Sequence, residues 1–314
     1  MELKQLTMEE KNKALDLFDT PVQFRPEALK MLSQQELKLI LLMEKECIPE
    51  KELEQRIGEA GLARCPEALI ASAYSRAVLC KVRDENGGLQ YQVTDFYSRF
   101  PYYAQFEYEE YVRIPRARRE LLNQWDLEVY MSQYEDVVKA KMRGEDVFMH
   151  DGDFMTLDEA CEAVMKQDFI CRVPCNCKYM MDLTDKPRDV CIHFRHDDNS
   201  AWDRGHGQRI TAEQAVELLH EWNKRGLMPN GKPEEEGGFC NCDCPSCYPI
   251  QMAKKLGSQG KYPRAYWQIH WDESRCINCG RCVSVCPGQI LPARLSVFAE
   301  HGEEEKFLKY GGME

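Results

Sequence analysis

The stretch DESRCINCGRCVSVCPGQI, residues 272–290, sets Cys276, Cys279, Cys282 and Cys286 in a C-x2-C-x2-C-x3-C-P run closed by Pro287. Two-residue gaps in a tight turn bring three thiolates round one side of the backbone, and the next cysteine can close the cage. Gly280 suits the turning backbone and Pro287 its exit. Four converging thiolates are what a [4Fe–4S] cubane needs. This run assigns the last part of the chain, residues 228–314, to a cluster-binding domain.

Two further boxes lie upstream. FCNCDCPSCYP places Cys240, Cys242, Cys244 and Cys247 within eight residues, and ICRVPCNCKYMMDLTDKPRDVC places Cys171, Cys175, Cys177 and Cys191 in a C-x3-C-x-C-x13-C pattern. Three boxes of four cysteines suffice for three cubanes. Zinc is the alternative occupant of either upstream box, since four close thiolates also satisfy a tetrahedral ion. The start of the 171–191 box is one residue short of the C-x3-C-x2-C pattern of radical-SAM enzymes, which does not tolerate the loss. His193, His196 and His206 just beyond it read as polar neighbours, because four thiolates already suffice. Cys47, Cys65, Cys80 and Cys161 stand singly in helical or strand patterns and read as small buried hydrophobes.

Composition agrees with this chemistry. The chain has 314 residues, 16 cysteines and a net charge of −12, and its length suits two or three domains. No run of about 18 apolar residues could span a membrane. The N-terminus, MELKQLTMEEKNKALDLF, alternates charged and apolar residues and lacks the apolar centre of a leader peptide. A cytoplasmic location is expected, and cysteines in a reducing compartment read first as metal ligands. The acidic balance argues against general affinity for nucleic acid.

Residues 1–120 carry helical patterns followed by a hairpin. Ser33–Glu36 is a capping box opening a helix with Leu37, Ile40 and Leu41 on its apolar face. Pro49 and Pro66 start two more helices, and VRDENGGLQYQV predicts two strands round an Asn-Gly-Gly turn. Three helices and a hairpin are the element order of a winged helix. Residues 121–227 read as a helical region holding the 171–191 box, with helices opened by the capping boxes at Thr156 and Thr211. MPNGKPEEEGG, residues 228–238, reads as a linker or exposed loop. The fold class expected is α+β.

With these boxes in place, the chain resembles ferredoxin-like 4Fe–4S proteins of anaerobic bacteria. These combine an N-terminal winged-helix-like segment, an R-V-P-C-x-C…D-x-C box, a C-x-C-x-C box and a terminal ferredoxin run. Here those features are Arg172–Cys177 with Asp189–Cys191, Cys240–Cys247, and Cys276–Pro287. The resemblance implies electron transfer, often to a neighbouring redox enzyme. In two-cluster ferredoxins the fourth cysteine of such a run ligates the other cluster. By that resemblance Cys247 would join Cys276, Cys279 and Cys282, while Cys286 would cross over to Cys240, Cys242 and Cys244. Asp243 and Tyr248 stand where further cysteines often sit in this group.

The function expected is relay of single electrons to or from a partner protein, a flavin or metal oxidoreductase. No G-x-G-x-x-G after a strand and no G-x4-G-K-[ST] is present, so no nucleotide or flavin site of a standard kind is evident. Two other readings remain open. One is an iron–sulfur-sensing regulator, against which 18 Lys and Arg face 21 Asp and Glu in residues 1–120. The other is a catalytic iron–sulfur enzyme subunit whose site would use Asp197, Asp198 and the Asp203–His206 stretch. The aromatic and arginine-rich stretch Phe96–Arg119 is the best candidate contact surface for the partner; the alternative is that Phe96, Tyr97, Phe100, Tyr102, Tyr103 and Phe106 pack the N-terminal module against the cluster domain.

Overall fold

The computed structural model describes residues 5–149, 152–264 and 272–285. Compactness divides the chain into two units. One is Met1–Asn123 with His196–Gly207, and the other is Gln124–Arg195 with Gln208–Glu314. The architecture mixes helices with two small antiparallel sheets.

The first unit opens with α1 (Met8–Leu17), α2 (Arg25–Met31) and α3 (Gln34–Met43). Side chain and backbone cap each other reciprocally between Thr7 and Glu10, and again between Ser33 and Glu36, so orphan N–H groups at both helix starts are satisfied. Next come β1 (Ile48–Pro49), α4 (Glu50–Glu59), α5 (Pro66–Ser75), β2 (Leu79–Arg83) and β3 (Leu89–Val93). The sheet order is β1-β3-β2. Asp84 closes the β2–β3 turn by accepting from the backbone N–H groups of Asn86 and Gly88. The helix expected after Pro66 stops at Ser75, because Leu79 already pairs with Val93 in the hairpin.

The unit is completed by α6 (Phe96–Phe106), α7 (Tyr108–Tyr111) and the first turns of α8 (Arg116–Met142). Phe96, Phe100 and Tyr111 are fully buried and Tyr103 nearly so; the Phe96 and Phe100 rings stack, Tyr111 lies tilted against Phe100, and Tyr103 meets Tyr111 edge-on. Of the aromatics expected at a contact surface, Phe96, Phe100 and Tyr103 are instead packed in the core of the first unit, while Arg113 and Arg116 of the same stretch are exposed.

The second unit takes the rest of α8, then α9 (Leu157–Met165), β4 (Cys171–Val173), α10 (Asn176–Met181), β5 (Cys191–His193), β6 (Gln208–Arg209) and α11 (Ala212–Lys224). After these come β7 (Met228–Asn230), α12 (Pro233–Glu236), β8 (Gly238–Cys242), α13 (Tyr248–Leu256) and α14 (Arg281–Val285). Capping boxes at Thr156 and Thr211 open α9 and α11, which pack on each other. The stretch expected as a linker, residues 228–238, is structural instead. It forms β7 and the turn into β8, and these two strands pair at the edge of the five-stranded sheet β6-β4-β5-β8-β7. Beside the sheet, Val138 of α8, Met149, Met252 of α13 and Tyr262 make a second buried core.

Candidate metal centre

Sheet register brings the two central boxes together. Ile192 pairs with Phe239 and His193 with Gly238, so the ladder sets Cys191 opposite Cys240, whose sulfurs lie 3.7 Å apart. Gly238 makes this approach possible. A Cβ there would meet the Ile192 carbonyl oxygen at 2.4 Å and the His193 Cα at 3.0 Å, both rigid backbone atoms. Alternation along a strand puts Cys240 and Cys242 on the same face.

The other thiols come from the chain just after β4 and from the turn after β8. Cys175 is the N-cap of α10 and is held by its N–H on the Arg188 carbonyl at 2.8 Å, with Cys177 one residue into the helix. Cys175 is in hydrogen-bond reach of both Cys177 and Cys191. Cys247, the N-cap of α13, lies 3.3 Å sulfur to sulfur from Cys242. Cys242 also touches Cys240. Cys177, Cys175, Cys191, Cys240, Cys242 and Cys247 thus form a continuous chain of buried or half-buried thiols.

This crowding splits their acidities. Hydrogen bonds from the Cys177 and Cys191 thiols, with the backbone N–H of Lys178, hold the Cys175 thiol well below its ordinary value. Bonding to that thiolate, then burial, pushes Cys177 well up, and Cys191 rises for the same reasons with Cys240 as a second partner. For Cys242 the Cys240 contact pulls down, but the Cys247 contact and burial outweigh it and the thiol rises. Burial likewise drives His193 down to about 4, so the imidazole is neutral at pH 7.

The surroundings fit an inorganic thiolate-bound group. Ile250 packs against Cys242 and Cys247, with Phe154 and Met228 alongside, giving the thiols a dry wall. Several buried polar atoms nearby make no hydrogen bond within the protein: both oxygens of Asp243, both amide atoms of Asn230 and the Ser246 hydroxyl. Asn230 faces Cys240 across the ladder, and Asp243 lies between Cys242 and Cys244 in sequence. Each such group costs about 1–3 kcal/mol unless something satisfies it. The Lys178 ammonium, 1% exposed, sits 3.8 Å from Asp243 and donates to the Pro187 carbonyl. Among the described residues no three Cys, His, Asp or Glu side chains close round one point as a single ion requires.

The remaining expected residues are placed as follows. Cys171 is buried two strand positions from Val173, which pairs with Cys191; Cys171 itself pairs with His193 and Arg209. Burial raises its thiol, and a backbone hydrogen bond at Gln208 opposes this. Cys244 is half-buried against the Cys242–Cys247–Ile250 group. In the terminal run Cys276 is half-buried and Cys279 and Cys282 are exposed. Gly280 at φ +72° takes the left-handed turn for which glycine is suited, ahead of α14. Cys286 lies outside the described residues. Of the cysteines expected to be buried hydrophobes, Cys47 and Cys65 are instead exposed, and Cys80 and Cys161 are half-buried.

The polar stretch after β5 is committed inside the first unit. Asp203 bonds the Tyr74 hydroxyl and pairs with Lys81 at 2.7 Å, Asp198 pairs with Arg83 at 2.6 Å, and His206 stacks on Phe106 at 4.0 Å. Sequence reasoning missed Gly238, Asn230 and the Lys178–Asp243 pair. Gly238 and Asn230 left a trace only inside the 228–238 stretch that composition assigned to a linker, and Asp243 only as a residue standing where a further cysteine often sits.

Among the described residues no helix is long and apolar enough to cross a membrane. No curated protein and no solved structure matches the chain. A family model described as a 4Fe-4S binding domain matches residues 268–291, the segment that carries all four cysteines of the terminal run. The chain is an iron–sulfur-binding protein.

Proposed function

We propose that this protein transfers single electrons through more than one [4Fe–4S] cluster, to or from a partner oxidoreductase. The observation that supports this most is the convergence of thiols from two boxes far apart in sequence onto one end of a sheet, in addition to the terminal run. A bound cubane supplies one-electron chemistry at a potential set by its hydrogen bonds, burial and surrounding charge. The residues here do the rest. Apolar Ile250, Phe154 and Met228 exclude water, and the backbone N–H groups of Lys178 and Tyr248 point at the Cys175 and Cys177 sulfurs. The lack of a nucleotide or flavin motif leaves hydride chemistry to the partner.

Reading of DNA by the α5–β2 face is disfavoured. Lys81, Arg83 and Arg76 there are engaged by Asp203, Asp198, Glu36 and Glu107, which leaves little positive potential for phosphate.

The test is anaerobic purification followed by iron and acid-labile sulfide analysis. About eight to twelve iron per chain with matching sulfide is expected, together with electron paramagnetic resonance signals on reduction. About four iron, with zinc in the remaining boxes and no sulfide to match, would defeat the multi-cluster reading.

A further inference from the structure

We propose that one cluster is held by a ligand set drawn from both central boxes, Cys175, Cys177, Cys191 and Cys240, with Cys171 outside it. The inference rests on the iron–sulfur reading of the boxes and specifies which residues carry it.

The four thiols follow one another in contact: Cys177 reaches Cys175, Cys175 reaches Cys191, and Cys191 lies 3.7 Å from Cys240. They come from three backbone positions that the fold fixes separately. Cys191 and Cys240 are locked opposite each other by the β5–β8 register, which tolerates only glycine at 238. Cys175 is pinned by its N–H bond to Arg188. Cys177 receives the backbone N–H of Tyr248, which begins α13.

Sequence proximity would group Cys171 with Cys175, Cys177 and Cys191. The ladder places Cys171 two positions further along: Val173, not Cys171, pairs with Cys191, and Cys171 lies opposite His193 and Arg209. Cys240 sits between the two boxes: it lies 3.7 Å from Cys191 and also touches Cys242, which in turn lies 3.3 Å from Cys247 beside Ile250 and Cys244. We place it with Cys191 because the β5–β8 register sets those two strand positions directly opposite each other. On loading, each of the four ligand thiols gives up its proton to solvent as its sulfur binds iron.

The experiment uses the full-length chain, reconstituted anaerobically with ferrous iron and sulfide. C175A, C177A, C191A and C240A should each lose about four iron and four sulfide per chain relative to the parent. C171A should keep the parental count. Loss of iron in C171A with retention in C240A would overturn the assignment, because each box would then hold its own cluster. Parent protein with only the terminal run's iron and sulfide would instead defeat the underlying reading, and the two failures are told apart before any variant is made. If the variants fold poorly, the unmutated holoprotein answers by stepwise chelation with alkylation mapped by mass spectrometry. Cys175, Cys177, Cys191 and Cys240 should become reactive in one step, distinct from Cys242 and Cys247. Release of Cys240 together with Cys242 and Cys247 would overturn the assignment.

Discussion

Gly238 and Asp126 show how single residues set this site and its stability. Gly238 carries no catalytic atom, yet a methyl group there would collide with backbone at 2.4 Å. Gly238→Ala should cost roughly 1–3 kcal/mol or more by overpacking and should lower iron content, because Cys240 can no longer approach Cys191. Thermal unfolding and iron analysis on the same preparation check both effects; an unchanged iron count would show that the strand approach is dispensable. Asp126 on α8 is 2% exposed, and burial raises its carboxyl to about 7, with the Tyr248 hydroxyl beside it pulling the other way by less. Unfolded, the group titrates near 3.8, so between about pH 4 and 7 the folded state holds a proton that the unfolded state has released. Its contribution is therefore fully present below pH 4 and is lost as pH rises to 7. At 1.36 kcal/mol per pKa unit the loss is on the order of a few kcal/mol. Asp126→Asn should remove that decline. The difference in denaturation midpoint between variant and parent should widen from pH 4 to 8, and a constant difference would contradict the buried, protonated carboxyl.

Single elements were legible where their signals are local. The capping boxes at Ser33, Thr156 and Thr211 each open a helix at the expected residue, since cap chemistry depends on neighbours three positions apart. The Asn-Gly-Gly turn marked the β2–β3 hairpin for the same reason. Register between β5 and β8 was not legible, because it joins residues about fifty positions apart and depends on space at one glycine. For that reason the 3.7 Å contact between Cys191 and Cys240, which joins two sequence boxes, is not visible in the sequence. Residues 228–238 misled because Pro, Gly and Glu mark loops by composition, while here they form a short edge strand and a turn. In segment 196–207 the sequence singled out Asp197, Asp198 and the Asp203–His206 stretch, and one of these side chains, Arg204, is buried. Arg204 donates to the carbonyls of Tyr74 and Leu79 and lies over the Tyr74 and Tyr102 rings at 4.4 and 5.4 Å. Arg204→Ala should destabilise the first unit by roughly 2–4 kcal/mol, since it strands two buried acceptors and leaves a cavity. Arg204→Lys should recover little, because an ammonium lacks the planar fork. Recovery of parental stability in the lysine variant would show that charge alone matters.

At the scale of the whole molecule, the chain enters the first unit, leaves it at residue 123, and returns to it for residues 196–207 before completing the second. The excursion begins five residues after Cys191 and ends where β6 pairs with the strand that carries Cys171. Within the first unit it is fixed by ion pairs from Asp198 and Asp203, by the two Asn199 side-chain bonds to the Lys81 backbone, and by Arg204. All twelve box cysteines lie beyond residue 170, so deletion of residues 1–123 removes none of them but strips this segment of every one of those partners. The truncated protein should keep its iron and sulfide, since the β5–β8 ladder and the thiol positions arise within the second unit. Its 196–207 segment should meanwhile become open to trypsin at Arg204, a bond expected to resist cleavage in the full chain because that guanidinium is buried. Limited proteolysis with metal analysis of the same samples separates the alternatives. Iron lost on truncation would mean that anchoring of the excursion is needed to hold Cys191 in place, and equal resistance to trypsin in both proteins would mean that the segment is ordered by the cluster-bearing sheet alone.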